Sequence, residues 1–152
     1  MTEDQFEVET GMHINNVRKR IYLVIKELLD RAERHDASKL ENPERETFLE
    51  YTPKLKGMTY GSDEYKECLK KMQVGLDHHY AENSHHPEHF DNGIDGMNLV
   101  DLIELICDWK SATLRHADGN IMKSIEQNTE RFNISPQLAQ ILKNTVGVIE
   151  NG

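Results

Sequence analysis

Cysteine is nearly missing from this 152-residue chain, which has two, Cys68 and Cys107. Two thiols do not make a disulfide framework, and a reducing, cytoplasmic compartment is the simplest expectation. Long apolar runs are missing as well. Nothing approaches the roughly 18 consecutive apolar residues of a membrane-spanning helix, so no membrane partner is expected. The start, Met1-Thr2-Glu3-Asp4-Gln5, lacks the basic and apolar regions of a signal peptide. Positive charge is short: 18 Lys+Arg stand against 27 Asp+Glu, a formal charge of −9. Nucleic acid and anionic membranes repel such a chain, which excludes a broad nucleic-acid surface. Strand-like alternation, internal repeats, low-complexity tracts and a second-domain linker are all missing.

What is there is helical. An apolar content of 37% fits one domain with a real core over residues 1–152. Apolar residues recur at a spacing near 3.6. Val17, Ile21, Val24 and Leu28 mark one face of a first helix from about residue 4 to about 32. Pro43 opens a short helix to Tyr51. Thr52 to Gly61, with Pro53, Gly57 and Gly61, reads as a loop. Ser62 caps a helix from Asp63 to about Ala81, with Tyr65, Leu69, Met72 and Leu76 as its stripe. Glu82 to Met97 is a long loop, and such loops are often functional. Asn98 caps a helix from Leu99 to about His116 that is apolar nearly all round and therefore central. Asn120 to Phe132 is helical, and Ser135-Pro136 opens a last helix to about Ile149. The expected fold is all-α, one compact bundle of five to seven helices.

Histidine is abundant. There are eight, and five of them (His78, His79, His85, His86, His89) fall within twelve positions. The pair His35-Asp36 follows the first helix directly. Imidazole and carboxylate together suit borderline divalent metals, and a carboxylate can bridge two ions. His13 precedes Val17 by four residues and Ile21 by eight, so it shares their face and is expected to point inward. On the third helix the stripe 65, 69, 72, 76 continues to 79, which makes His79 the better ligand and puts His78 at the flank. Pro87 restricts His86 to extended backbone, so His86 is preferred, narrowly, to His85. Asp101, Glu104 and Asp108 are carboxylates on a very apolar helix and need a cation or strong hydrogen bonds. Metal is favoured for Asp108. Ion pairing, with Arg18, Lys39 or Arg115 as partner, is favoured for Asp101 and Glu104.

This order of residues resembles the HD-domain superfamily, all-α metal-dependent phosphohydrolases with a smaller di-iron oxygenase branch. The resemblance runs through His13, His35-Asp36 and Asp108. His35-Asp36-Ala37-Ser38-Lys39 is similar to the superfamily's His-Asp-x-Gly-Lys variant, with Ser38 in place of the glycine. Cys107-Asp108-Trp109 looks like its closing Ala-Asp motif. His79 and His86 look like the extra histidines of two-metal members. The whole chain also resembles a small uncharacterised family of bacteria and phages.

The resemblance implies a metal set of His13, His35, Asp36, His79, His86 and Asp108. One or two divalent ions are expected, drawn from manganese, iron, cobalt, nickel, zinc or magnesium. It implies hydrolysis of a small phosphate ester, a nucleotide above all, with Asp36 and Lys39 as catalytic residues. Asp36 would orient the attacking water, and Lys39 would bind a phosphate oxygen as a point charge. Arg18, Lys110 and Arg115 are weaker phosphate-binding candidates. Two alternatives share these ligands: a di-iron oxygenase, and a non-catalytic metal-stabilised module that binds a nucleotide or a partner. Oligomeric state is not readable from the chain.

Overall fold

The computed structural model describes residues 1–59, 62–115 and 119–150, so Gly61 and His116 lie outside the described residues. Every regular element among the described residues is helical, and no helix is long and apolar enough to cross a membrane. The chain divides into two units, Met1–Arg34 and His35–Gly152.

The first unit is one helix, α1 (Glu3–Arg34). Glu3 and Asp4 at its start and Arg31 and Arg34 at its end suit the helix dipole. Its apolar stripe is not buried, however. Val17, Ile21 and Val24 are 42%, 53% and 45% exposed, and Leu28 is half-buried. His13, expected to point inward, is exposed with them. Periodicity identifies the apolar face of a helix, but it does not say what covers that face.

The second unit starts with a tight 3₁₀ turn, Ala37–Leu40. Helix α2 (Glu44–Leu55) runs past the expected stop at Tyr51 and contains Pro53. Pro53 lies in the last turn, where its missing N–H breaks one bond only, to the exposed Leu49. The single helix expected over 63–81 is two, α3 (Asp63–Lys71) and α4 (Gln73–Glu82). They meet at Met72, whose φ −81° and ψ −5° fall outside the α-helical centre. Its N–H reaches both the Cys68 and the Leu69 carbonyls, a tightened turn between the two helices. Ser62 caps α3 by accepting from the Tyr65 N–H, as expected.

Gly75 sets how closely α4 approaches α2. A β-carbon there would lie 2.7 Å from the Thr47 side chain. An alanine would push the two helices apart at the level that brings His79 to Glu44. The loop after α4 is not featureless, since it holds 3₁₀ turns at Pro87–His89 and Gly93–Gly96.

Helices α5 (Leu99–Thr113), α6 (Ile121–Arg131) and α7 (Pro136–Ile149) enclose the main core. Ile106 meets Ile121, Ile125, Ile134, Ala139, Leu142 and Val146, and Trp109 stacks on Phe132. Each fully buried aliphatic side chain contributes about 1.5–3 kcal/mol of apolar transfer. That core fixes α5 rigidly and leaves its other side for Glu104 and Asp108.

Candidate metal centre

Four short segments of the second unit deliver the polar side chains: the 3₁₀ turn at 37–40, α4, the loop after it, and α5. His35 leads into Asp36, which adopts φ 55°, ψ 15°, the left-handed region. A non-glycine residue is uncommon there, and such conformations are retained where the surroundings enforce them. Here the conformation sends the Asp36 carboxylate among the histidines. Its Oδ1 lies 3.5 Å from His79 Nε2 and 3.6 Å from His85 Nε2. Its Oδ2 lies 3.6 Å from His35 Nε2. His35 Nε2 is also 3.7 Å from Asp108 Oδ1. His86 Nε2 stands 2.9 Å from His79 Nε2. Three convergent donor groups result among the described residues: Asp36 with His79, His85 and His86; Asp36 with His35 and Asp108; and His35 with His85 and Glu104. Asp36 belongs to the first two.

The far nitrogens of the rings are held by carboxylates. Glu104 Oε1 takes the Nδ1 of His35 at 2.9 Å and the Nδ1 of His85 at 3.1 Å. Glu44, fully buried, takes the Nδ1 of His79 at 2.9 Å and that of His78 at 2.8 Å. A carboxylate can only accept, so each of these Nδ1 atoms carries the proton. The Nε2 atoms of His79 and His85 are thereby turned to the Asp36 side, an arrangement that fixes tautomer and ring orientation at metal-binding histidines. Asn83 steadies His79 further by donating to its backbone carbonyl at 2.8 Å.

Two polar atoms in the middle of this network have no hydrogen-bond partner among the described residues: Asp36 Oδ1 and His85 Nε2. Both are buried, and a buried unsatisfied polar group costs about 1–3 kcal/mol. An ion bound between them satisfies both at once. The donor set of imidazole and carboxylate fits borderline divalent metals.

Electrostatics divide the histidines. The carboxylates of Asp108 and Glu104 push His35 up to about 10, against the opposing effect of burial. Burial, with the neighbouring His85 and His79, pushes His86 down to about 3. Burial lowers His79 too, helped by the Lys39 charge. Burial works to raise both Asp36 and Asp108, but Lys39 holds Asp36 below the usual carboxylate range and His35 does the same for Asp108. Without metal, the centre therefore holds ionised carboxylates, a protonated His35 and neutral His79 and His86. Lys39 Nζ lies 2.5 Å from Asp36 Oδ2.

The residues expected from the sequence come together in large part. His35, Asp36, His79, His86 and Asp108 converge, with Lys39 beside them. His13 lies on α1, in the first unit, and is exposed there. His78 is at the flank, bonded to Glu44. Three participants were missed or undervalued. His85 is 2% exposed and as central as His86. Glu104, for which an Arg or Lys partner was expected, pairs with two histidines, His35 and His85. Asp101 serves in a capping box with Asn98 and accepts from the Ser84 hydroxyl at 2.7 Å. Glu44 had a readable signal: it shares a face of α2 with Phe48, Tyr51 and Leu55, at the helical spacing of buried positions. His85 sits in a loop, where no periodicity points inward.

No curated protein and no solved structure matches this sequence significantly. Residues 2–148 match the model of DUF5662, a family of unknown function, and the chain belongs to that family.

Proposed function

We propose that this protein is a metal-dependent phosphohydrolase acting on a small phosphate ester, of the kind its resemblance to the HD-domain superfamily implies. The observation that carries the reading is the pair of buried, unpartnered atoms, Asp36 Oδ1 and His85 Nε2, inside a ring of oriented Nε2 atoms with a lysine beside it. Asp36, His79, His85 and His86 would hold one divalent ion. His35 and Asp108, with the other Asp36 oxygen, would hold a second. A divalent ion in such a site polarises a phosphoryl oxygen and lowers the pKa of bound water to near neutrality.

The chain's own residues supply the rest. Lys39 offers a point charge to a phosphate oxygen, and to do so it exchanges its bond to Asp36 Oδ2 for one to substrate. Glu104 and Glu44 keep the imidazoles in the ligating tautomer. His35 gives up its proton to serve as a ligand. In the overall reaction a water oxygen bonds to phosphorus, the ester P–O bond breaks, and the leaving oxygen takes up a proton. A net charge of −9 does not prevent anion binding where cations dominate the local field.

The test is phosphate release from a panel of nucleotides and sugar phosphates by protein loaded with manganese or cobalt. Turnover that disappears in folded Asp36→Asn and His85→Ala variants is expected. No turnover with any metal, in protein shown to contain stoichiometric metal, overturns the reading and leaves the non-catalytic module. A mixed-valent spin signal in aerobic iron-loaded protein would move the assignment to the di-iron oxygenases.

A further inference from the structure

A cavity of about 510 Å³ lies between the 3₁₀ turn and the outer face of α2. Its lining includes Lys39, Arg45 and Lys56 around Leu40, Phe48 and Leu49. On α2, residues 45, 48, 49 and 56 fall at helical spacing on one side. No carboxylate lines the cavity among the described residues, although the chain is strongly acidic and α2 carries Glu44, Glu46 and Glu50. Those three face elsewhere and are engaged: Glu44 with His78 and His79, Glu46 with Asn42, Glu50 with Lys54. Arg45 and Lys56 have no such partner among the described residues, so their charge is free to meet an anion.

The cavity adjoins the metal centre through two side chains. Lys39 bonds Asp36 and also lies 5.6 Å from the centre of the Phe48 ring. Phe48 in turn packs edge-on against His79 at 5.9 Å. A ligand with a phosphate at Lys39 therefore extends over Phe48. Leu40 and Leu49 are 77% and 66% exposed, an apolar surface left uncovered beside cations. The combination suits a flat apolar ring flanked by negative charge. The volume is that of an ordinary small-molecule site.

We infer that this cavity binds the non-reacting part of the substrate, an aromatic ring bearing a second anionic group, with Leu40, Phe48 and Leu49 against the ring and Arg45 and Lys56 on the anion. The inference rests on the reading of the adjoining centre as the place of the scissile phosphate. Its test is binding to metal-free protein, which stays readable whether or not the metal-loaded protein turns over. Adenosine 3′,5′-bisphosphate, adenosine 5′-monophosphate and inorganic phosphate serve as probes in calorimetric titrations. The bisphosphate is expected to bind about tenfold or more tighter than the monophosphate, the worth of a charge-assisted contact. Inorganic phosphate should bind more weakly than either. In Arg45→Gln/Lys56→Gln, which removes charge from two exposed positions but keeps polar side chains, the bisphosphate preference should vanish while monophosphate binding persists. Equal binding of the two nucleotides by the wild-type protein overturns the inference, as does a preference that survives the double substitution. Inorganic phosphate binding as tightly as the monophosphate overturns the role of the apolar surface.

Discussion

Replacing His85 by alanine isolates the part of the protein's stability that a metal supplies. A ligand that binds only the folded state, at one hundred times its Kd, stabilises it by about 2.7 kcal/mol. For a chain of this length each kcal/mol moves Tm by about 2–4 °C, so saturating manganese should raise it by about 5–11 °C. His85 offers a buried Nε2 that is 3.6 Å from Asp36 Oδ1, and neither atom has a hydrogen-bond partner among the described residues. Loss of even an outer partner of a metal ligand typically costs 10–100-fold in affinity, and loss of a ligand should cost at least about 100-fold. At the same manganese concentration the variant then sits near its Kd, where the gain is about 0.4 kcal/mol, or about 1–2 °C. Thermal unfolding with and without metal measures the difference directly. Any change in the metal-free protein, such as the lost bond from His85 to Glu104, cancels in that difference. His89→Ala is the control, because His89 is exposed and bonds the Tyr80 carbonyl. A His85→Ala variant that keeps the full metal-induced rise would refute the placement of the ion.

Three further outcomes follow from the same geometry. Glu104→Ala should weaken metal binding by about 10–100-fold in competition with a chromophoric chelator, whereas Glu104→Gln should lose less, because one oxygen takes both Nδ1 atoms and an amide oxygen can do the same. Without metal, His35 is raised from 6.5 to about 10, so its pairing stabilises the metal-free protein fully below about pH 6.5 and that contribution fades as pH rises through 10. Metal must displace that proton: affinity should climb with pH between about 7 and 10, and titrations in buffers of different ionisation enthalpy should show proton release near pH 7.5, its absence contradicting the role of His35. Asp101→Ala removes the capping box of α5 and the acceptor for Ser84, which should cost about 1–2 kcal/mol and lower Tm with metal stoichiometry unchanged.

The class of fold was readable because a 3.6-residue period survives local exceptions, and the caps at Ser62, Asn98 and Ser135 are local chemistry. Boundaries were less readable where a rule had a positional exception. Pro53 signals a break, yet in a last turn it removes one bond at an exposed carbonyl, and α2 runs on to Leu55. The stripe through Met72 looked continuous because a single tightened turn hardly disturbs the period. The apolar face of α1 was visible, but an apolar face is a statement about one helix. Whether His13 is buried depends on what meets that face, and no spacing rule contains it.

The site divides along the same line. His79 could be singled out by the phase of its helix, Asp108 as a carboxylate on a very apolar helix, and His35-Asp36 by its unusual pairing. Loop residues could not, which is why His85 ranked behind His86 although both converge on His79. The carboxylates were legible only as a demand. Glu104 on an apolar helix had to have a partner, and a cation of the Arg or Lys type was the ordinary answer. The partners are histidines because the nearest charges are themselves parts of a metal-ready cluster. This changes what the net charge of −9 means. Asp36 and Asp108 converge with the histidines, while Glu44 and Glu104 bond the outer nitrogens of those rings. Four of the negative charges thus form an inner and an outer layer about the cluster proposed to hold metal. On the proposed reading an anionic substrate would approach from the side of Arg45 and Lys56, where no carboxylate lines the cavity among the described residues.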